Sequence, residues 1–590
     1  MPSVLFPDPA LIRFAPERAT CDCGERLLVQ KTRRKKILTL LGPFIAHETV
    51  AQCELCSRTF PSDPLLRLVG PRCNVAFDVL VFVGEALFRR HRNTREVRCE
   101  LIARNVRLSI SEIEYLGRKF VINLAAAHRR ATPRIRRAME LSGGYILHLD
   151  AMHEGEAPAL MSGMDSLRKF VLGNVKLPSE HADHIAPFLQ KLKADYGSPI
   201  ACVHDMGSGI LKAVAQVFPG IRDFICHFHF LRDLGKDFLE PSYALIRSQL
   251  RSHGTASRLH ALLRETRRSL GEHASKSDLL AKTFKDGAVS EDSNLAALAA
   301  TYSLTLWVLH GKHSGDGYGF PFDRPLLDFA ERLLDLYRRL PQLLDSILDH
   351  DEPDEQQAIW KLALEVSHVG NDSVLCRAVE ELRRRSSLFD RLRKAMRIAP
   401  PHGANGLNDE GSDEAMSTIR QGVEAFPREL DQDPELASDH LCLKMAEQSD
   451  KYGDKLFADP LTVTTSDGPI TLYPQRTNNI LEQFFRGQRY AHRRKTGNDS
   501  MERALRAMLS DTPLIKNLDN PEYMKILLDR KANLEELFAE MGPAHLNPAE
   551  GSQADSDRIL PGFRALMKLP TLPDQVLRSF QKHQEQDKSN

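Results

Sequence analysis

YILHLD (residues 145–150) and IACVHD (residues 200–205) are short apolar runs that each close on an aspartate. A third acid, Glu482, sits far downstream in the helix-like stretch TNNILEQFFRGQRYAHRRKTG (residues 477–497). Three such carboxylates, Asp150, Asp205 and Glu482, are the set needed to hold two divalent cations. Hard ions such as Mg²⁺ or Mn²⁺ take oxygen ligands and keep part of their shells for water and phosphate, so a phosphodiester can bridge two of them. The chemistry implied is the cutting or joining of DNA.

Working outward from these acids, residues 145–150 alternate and are rich in β-formers, and residues 159–164 and 170–177 read as two further strands separated by turn residues. Ser179 opens a helical stretch with Ile185, Leu189 and Leu192 on one face, ending near Tyr196 and Gly197. Residues 200–205 form the next strand, Gly207 and Ser208 start a helix through Val217, and residues 223–226 form a fifth strand. Three strands, helix, strand, helix, strand is the order of a ribonuclease H-like α/β domain. In that arrangement the first and fourth strands are neighbours, which would join Asp150 to Asp205 across about 55 intervening residues.

The string HDMGSGILKAVAQVFPGIRDFICHFHFLRDLGKDF (residues 204–238) resembles the second-aspartate block of bacterial insertion-sequence DDE transposases and their Mutator-like relatives, with Cys226 and His229 matching a C-x-x-H signature. Residues 477–497 resemble their third block, in which the glutamate follows an asparagine pair and precedes basic residues. The resemblance implies a DNA transposase that cleaves element ends and joins a 3′-OH to target DNA, with Asp150, Asp205 and Glu482 as ligands of two Mg²⁺ or Mn²⁺ ions. Its implied partners are double-stranded DNA, at terminal inverted repeats and target sites, and further copies of the chain assembled on that DNA. Arg486, Arg489 and Arg493 fall at i+4, i+7 and i+11 from Glu482, on one helical face, and with Arg494 and Lys495 would steady the DNA backbone.

Other readings attach to the same residues. Glu482 has an alternative as a solvated partner of Arg486. His148 and His204 would suit a zinc hydrolase, but no H-x-x-x-H or H-E-x-x-H spacing backs them. Glu154, Glu156, Asp165 and Asp183 are acids near the same strands and are set aside. Cys226 and His229 alone are too few for a closed zinc site and read as supporting groups. A related nuclease or resolvase of the same fold, and a transposase-derived DNA-binding regulator that no longer cuts, are the functional alternatives.

The amino-terminal part carries a second signal. Cys21 and Cys23 (CDCG) are followed about thirty residues later by Cys53 and Cys56 (CELC), two thiolate pairs expected at the tips of two hairpins, where four sulfurs would close a tetrahedral Zn²⁺ site. Between them lies KTRRKK, whose Arg33, Arg34, Lys35 and Lys36 are expected to meet phosphates from a ribbon tip. A helix-turn-helix is expected next, with Thr94 capping a first helix and Ser111 with Glu114 forming the capping box of a second that bears Ile113, Leu116, Phe120 and Leu124. Arg118 and Lys119 on the exposed face of that second helix are the groove-reading candidates.

At 590 residues the chain is too long for one core, and its formal net charge of +1 does not by itself call for a polyanion partner. The distribution is uneven, since residues 1–140 hold 25 Lys and Arg against 14 Asp and Glu. Ten scattered cysteines without a signal-like start fit a reducing cytoplasm, and the longest apolar run, FDVLVFVGEALF, is too short and charged to cross a bilayer. The expected organisation is multidomain α+β: a zinc ribbon (1–75), a helix-turn-helix region (76–143), and a ribonuclease H-like domain in two parts (144–240 and 461–515). An all-α insertion (241–460) separates those parts, and a helical carboxy-terminal region follows (516–590). Within the insertion, Asp323 and Pro325 start an amphipathic helix bearing Leu326, Phe329, Leu333, Leu336 and Leu340, and Trp307 reads as a core residue rather than a base-stacking one. An exposed loop is expected at 404–414. A break at 542–556, a short helix around 560–567 and a disordered end are expected in the tail.

Overall fold

The computed structural model describes residues 9–272, 284–285, 293–347, 357–399, 413–431, 438–457 and 459–541. The loop expected around Asn405 to Gly411 and the features expected beyond residue 541 lie outside the described residues. The chain is a mixed helix-and-sheet protein, mostly helical, with three separate sheets among the described residues.

The first sheet holds β1 (Leu11–Phe14), β2 (Leu27–Thr39), β3 (Gly42–Cys53) and β4 (Thr59–Phe60), with β3 between β1 and β2. The KTRRKK run is not at a tip. It lies mid-strand in β2, where Arg33 pairs with Glu48 and Lys36 with Ile45 in register, because the β-compatible run continues unbroken to a turn at Leu40 and Leu41. Alternation then splits the basic residues. Arg33 turns onto the strand face that carries buried Ile37 and reaches Glu48 at 2.6 Å, and Lys35 is half-buried, while Arg34 and Lys36 are exposed.

After α1 (Asp63–Leu68) come α2 (Phe77–Phe88), α3 (Thr94–Ile102) and α4 (Ile110–Leu141). The α3 cap is Asn93, boxed with Glu96, and the α4 cap is Ser109, boxed with Glu112, so both expected caps are displaced by one or two residues. Two S-x-x-E frames compete at the start of α4. The Ser109 frame sets buried Leu108 before the cap and buried Ile113 at the fourth helical position, a hydrophobic staple, whereas the Ser111 frame would use exposed Tyr115. α4 also outruns the expected recognition helix by about five turns, burying Ala127, Ala131, Ile135 and Met139 in its second half. That half packs with the central sheet's residues in one apolar cluster, so the helical region and the sheet are not separated by a break.

The central sheet contains β5 (Ile146–Met152), β6 (Ala159–Asp165), β7 (Phe170–Leu177), β8 (Ala201–His204) and β9 (Arg222–Ile225), ordered β7-β6-β5-β8-β9. β5, β6 and β7 pair antiparallel, and β5, β8 and β9 pair parallel. Parallel neighbours need crossovers, supplied by α5 (Ala182–Tyr196) and α6 (Ser208–Val217). One face of this sheet is covered by α4, α5 and α6. The other belongs to a second cluster built from α7 (His227–Ser252) and the helices that follow it: α8 (Thr255–Gly271), α9 (Ser293–His310), α10 (Pro325–Ile347), α11 (Gln357–Gly370), α12 (Ser373–Ala395), α13 (Asp413–Asp431) and α14 (His440–Leu456). In α10, Phe329, Leu333 and Leu336 are buried as their spacing implies. Trp307 on α9 departs from the core expectation, being 40% exposed with the Arg332 guanidinium 5.2 Å from its ring.

A hairpin, β10 (Leu461–Thr465) and β11 (Gly468–Leu472), then leads to α15 (Asn479–Thr496), which returns to β5. The described chain ends through α16 (Glu502–Ala507), a 3₁₀ turn (Thr512–Asp519), α17 (Pro521–Leu528) and α18 (Leu534–Met541). Asn517 of the 3₁₀ turn bonds both the amide and the carbonyl of Val171 at 2.8 Å, satisfying groups on the edge strand β7. No helix among the described residues is long and apolar enough to cross a membrane, and the FDVLVFVGEALF run is the buried helix α2.

The α2–α4 contact needs a glycine. A Cβ built on Gly84 would stand 2.1 Å from a Phe120 ring carbon. Gly84→Ala is therefore expected to destabilise the protein by about 1–3 kcal/mol through overpacking, read as a lower thermal midpoint. An unchanged midpoint would mean that this contact is not made.

Candidate metal and nucleic-acid site

Asp150 and Asp205 meet because of strand register. His148 pairs with Val203 across parallel strands β5 and β8, so two residues further on Asp150 stands beside Asp205. Asp150 lies inside β5 rather than at its end, and Asp205 directly follows β8. The Asp205 carboxylate accepts from the Gly207 amide at 3.0 Å, and that of Asp150 from the Ala151 amide at 2.8 Å. His204 anchors the turn, with Nδ1 donating to the Asp205 carbonyl at 2.6 Å and Nε2 facing Asp223, which also binds Lys455. His148 and His204 are thus braces for the carboxylates.

Glu482 enters from the first turn of α15, and one residue places it. Asn478, fully buried, accepts from His148 Nδ1 at 2.9 Å and donates through Nδ2 to the Leu149 carbonyl at 2.8 Å. Its own amide donates to Cys226 Sγ at 3.1 Å. The helix carrying Glu482 is thereby pinned to the strand carrying Asp150 and to the cap of α7. The asparagine pair is visible in the sequence, but nothing there assigns Asn478 this role. Arg476, buried beside it, donates to the Met396 carbonyl at 2.9 Å.

The cluster is electrostatically costly when bare. Burial, then the neighbouring Asp205 and Glu482 charges, push Asp150 up to about 8, and burial likewise raises Asp205. Arg232 on α7, absent from the residues that the sequence motifs single out, opposes this at Asp150 and lies near His229 together with Lys236. These cations sit at i+3 and i+7 from His229, a signal that has meaning only once α7 is known to face the site. At the rim, His153 bonds Glu180 at 2.5 Å, which raises the imidazole pKa. The other acids near these strands are engaged elsewhere: Asp165 is buried against Arg168, Glu154 is 4.0 Å from Arg489, Glu156 is 3.9 Å from Arg506, and Asp183 pairs with His181. Three crowded carboxylates, two of them with burial disfavouring the charged form, are a donor set that fits hard divalent cations.

The remaining basic residues expected to meet DNA divide into two groups. Arg486, Arg489, Arg493 and Arg494 are exposed on α15, with Arg493 3.2 Å from Asp499. Lys495 instead folds onto α2, donating to the Leu87 carbonyl at 3.4 Å over the Phe88 ring. Arg118 is exposed, whereas Lys119 donates to Cys73 at 2.9 Å. Lys119 and Lys495 are committed to internal contacts because each emerges where its helix meets a neighbour.

At the far end of the molecule, Cys21, Cys23, Cys53 and Cys56 converge with all sulfurs within 4.8 Å of one another, and Cys21–Cys56 and Cys23–Cys53 are each 3.4 Å apart. Each pair sits on a tight turn, one closed by the Thr20–Arg26 bridge and one by β3 and β4. Tetrahedral Zn–S bonds set sulfurs about 3.8 Å apart, so this cluster could hold a zinc ion. The Cys56 amide draws the Cys53 thiol down to about 7, while hydrogen bonds from neighbouring thiols push Cys23 and Cys56 up, so the metal-free cluster shares protons among its sulfurs. The ribbon's small apolar cluster, Ile37, Phe44, Ala46, Leu65, Val69 and Ala76, lies at the opposite end of the hairpin, about 30 Å along the strands. The cysteine end has no comparable core to close it.

No family model matches the chain, and no curated protein matches it.

Both metal sites can be tested by removing or adding the ion. Cys53→Ser should lower the zinc content of the full chain by about one ion and loosen the 20–60 segment to proteolysis; unchanged zinc would exclude this cluster as a site. For the carboxylates, the raised Asp150 pKa means that the folded state binds more protons than the unfolded one between about pH 4 and about pH 8. Stability without divalent ions should fall as pH rises through that window. Mg²⁺ should therefore raise the thermal midpoint more at about pH 8.5 than at about pH 6, whereas equal increments would show that the ion binds elsewhere.

Proposed function

We propose that this chain is a DNA transposase of the DDE type, cleaving DNA at element ends and transferring the resulting 3′-OH to target DNA on a ribonuclease H-like scaffold. The observation that carries the reading is the convergence of Asp150, Asp205 and Glu482 from β5, the end of β8 and α15. The β7-β6-β5-β8-β9 order supports the scaffold assignment, since it matches the arrangement inferred from the order of elements.

In this reading Asp150, Asp205 and Glu482 would hold a pair of Mg²⁺ or Mn²⁺ ions. Such ions, when bound, lower the pKa of the attacking water or 3′-OH and stabilise the leaving 3′ oxygen. The chain's own residues hold the acids in place: Asn478 fixes α15 against β5, and His204 fixes the Asp205 turn. Arg232, exposed Arg486 and the Arg489 to Arg494 face present positive charge toward a phosphate backbone passing the acids. Exposed Arg118 on α4, and Arg34 and Lys36 on the ribbon, are the outlying contacts that would choose and orient the DNA. No protein nucleophile is needed.

Asp150→Asn, Asp205→Asn or Glu482→Gln should each reduce Mg²⁺-dependent cleavage and strand transfer to background while leaving duplex binding within about twofold, since phosphate-binding residues are untouched. Asn478→Ala should cost about 10–100-fold in metal affinity or rate, the usual effect of losing a ligand's support. Cleavage that survives at any of the three acids removes that residue from the metal set. Cleavage without transfer of a 3′-OH would instead identify a nuclease or resolvase.

A further inference from the structure

Beside the hard-ion acids lies a second donor set of different chemistry. Cys226 caps the amino terminus of α7 and His229 occupies its first turn; with Glu482 they bring one sulfur, one nitrogen and one oxygen within 4.8 Å of one another. We infer that Cys226, His229 and Glu482 form a binding site for a thiophilic divalent cation, Zn²⁺ above all, adjoining the Asp150–Asp205 pair and sharing Glu482 with it.

Three observations carry this. Tetrahedral zinc with one sulfur, one nitrogen and one oxygen ligand sets those atoms about 3.3–3.6 Å apart, and His229 Nε2 is already 3.5 Å from Glu482 Oε1. Closing the remaining gaps takes movements of about an ångström, within the reach of side-chain rotation. The Cys226 sulfur is fully buried, and burial with the neighbouring Glu482 charge keeps it a thiol while no cation is present. Backbone amides of Phe228, His229 and Asn478, the last at 3.1 Å, point at it and would support a thiolate once a cation supplies the opposing charge. His229 is 5% exposed, and its Nε2 meets Glu482 Oε1 at 3.5 Å, too long for a good hydrogen bond. In the tautomer with the proton on Nδ1, the Nε2 lone pair is the one a cation between the three side chains would take.

The donor types set the selectivity. Mg²⁺ does not take thiolate, whereas zinc takes Cys, His and carboxylate together and leaves a fourth position open. The site itself stands on this geometry. Its consequence rests on the two-metal reading: zinc held by Cys226 and His229 draws Glu482 away from the Mg²⁺ pair, so micromolar zinc would hold the enzyme inactive in millimolar Mg²⁺.

The test uses the full chain, with Zn²⁺ and Co²⁺ as probes. Competition against a chromophoric chelator should count two tightly held zinc ions per chain, one in the Cys21, Cys23, Cys53 and Cys56 cluster. Cys226→Ser and, independently, His229→Gln should each lower the count to one, while Asp150→Asn keeps two. Co²⁺ added to protein whose Cys21, Cys23, Cys53 and Cys56 cluster already holds zinc should give a single-thiolate charge-transfer band that Cys226→Ser removes. A count of one in the unmodified protein overturns the inference, as does a count of two retained in both folded variants. Because neither readout needs cleavage, failure of the transposase reading would leave this result intact. An inactive chain with two zinc ions would separate the two claims, and an active chain with one would do so in the opposite sense.

Discussion

The hydrogen bonds of Asn478 solve the central problem of this chain, which is to bring its last acid back to a sheet it left about 250 residues earlier. Glu482 is separated from Asp150 by 332 positions, and nothing local in the sequence ties them. Asn478 spans that separation with one buried side chain. Its amide group answers a ring nitrogen of His148 and the carbonyl of Leu149, and its backbone N–H answers Cys226. Loop-closure entropy rises only logarithmically with length. A detour of this size is therefore thermodynamically acceptable if the detour folds on its own and the closing contacts are specific. An apolar contact at this position would hold the helix but would not fix its rotation. Rotation decides whether Glu482 or its neighbours Leu481 and Gln483 face the acids.

The same pinning creates a conflict that the fold leaves unresolved by itself. Asp150, Asp205 and Glu482 are forced together in a cleft where burial, with like charge beside it, disfavours ionisation of both aspartates. A partly buried acid elsewhere in the chain is compensated internally: His204 and Lys455 hold the Asp223 carboxyl below its ordinary range despite its burial. Here the nearby cation, Arg232, opposes only part of the effect on Asp150. A protein core selected for stability alone would replace such acids, since a bare buried charge costs several kcal/mol. Their retention at the meeting point of β5, β8 and α15 is the physical reason to read the cluster as a cation site.

Much of this arrangement is legible in the amino-acid sequence. The five strands and two crossover helices of the central sheet fall within a few residues of the expected positions, because a strand buried on both faces reads as a short apolar run bounded by glycine and other turn signals. The two cysteine pairs are legible for a similar reason, since tight spacing puts sulfurs on turns whatever surrounds them. The features that are not legible depend on tertiary choice. KTRRKK reads equally as a loop or a strand, and only its pairing with β3 decides. The start of α4 offers two capping boxes, and the burial of Leu108 against the core selects the earlier one. Lys119 and Lys495 look like surface cations on a helical wheel, yet Lys119 meets Cys73 in the segment before α2 and Lys495 meets the end of α2, neighbours that the wheel cannot show. Arg232, Lys236 and Asn478 carry no spacing signal of their own, since their role emerges only where α7 and α15 converge on β5.

That convergence also explains why the helical insertion is not a mere appendage. α7 opens with Cys226 and His229 beside Glu482 and continues as the first helix of the second apolar cluster, where Phe230, Leu234, Phe238 and Leu239 pack among insertion residues such as Phe322, Phe389 and Leu392. Phe228 stacks on Phe322 with ring centroids 4.8 Å apart, between His227 and His229 in the chain. Residues on either side of the acids are therefore buried against the insertion. A displacement of α12 or of the Phe322 turn would pass through Phe228 to His229 by direct packing, because close-packed interiors transmit small shifts instead of absorbing them. Whatever the insertion touches outside the protein is thus mechanically adjacent to His229 and the three acids, and the route between them is a single aromatic stack rather than a long path through the sheet.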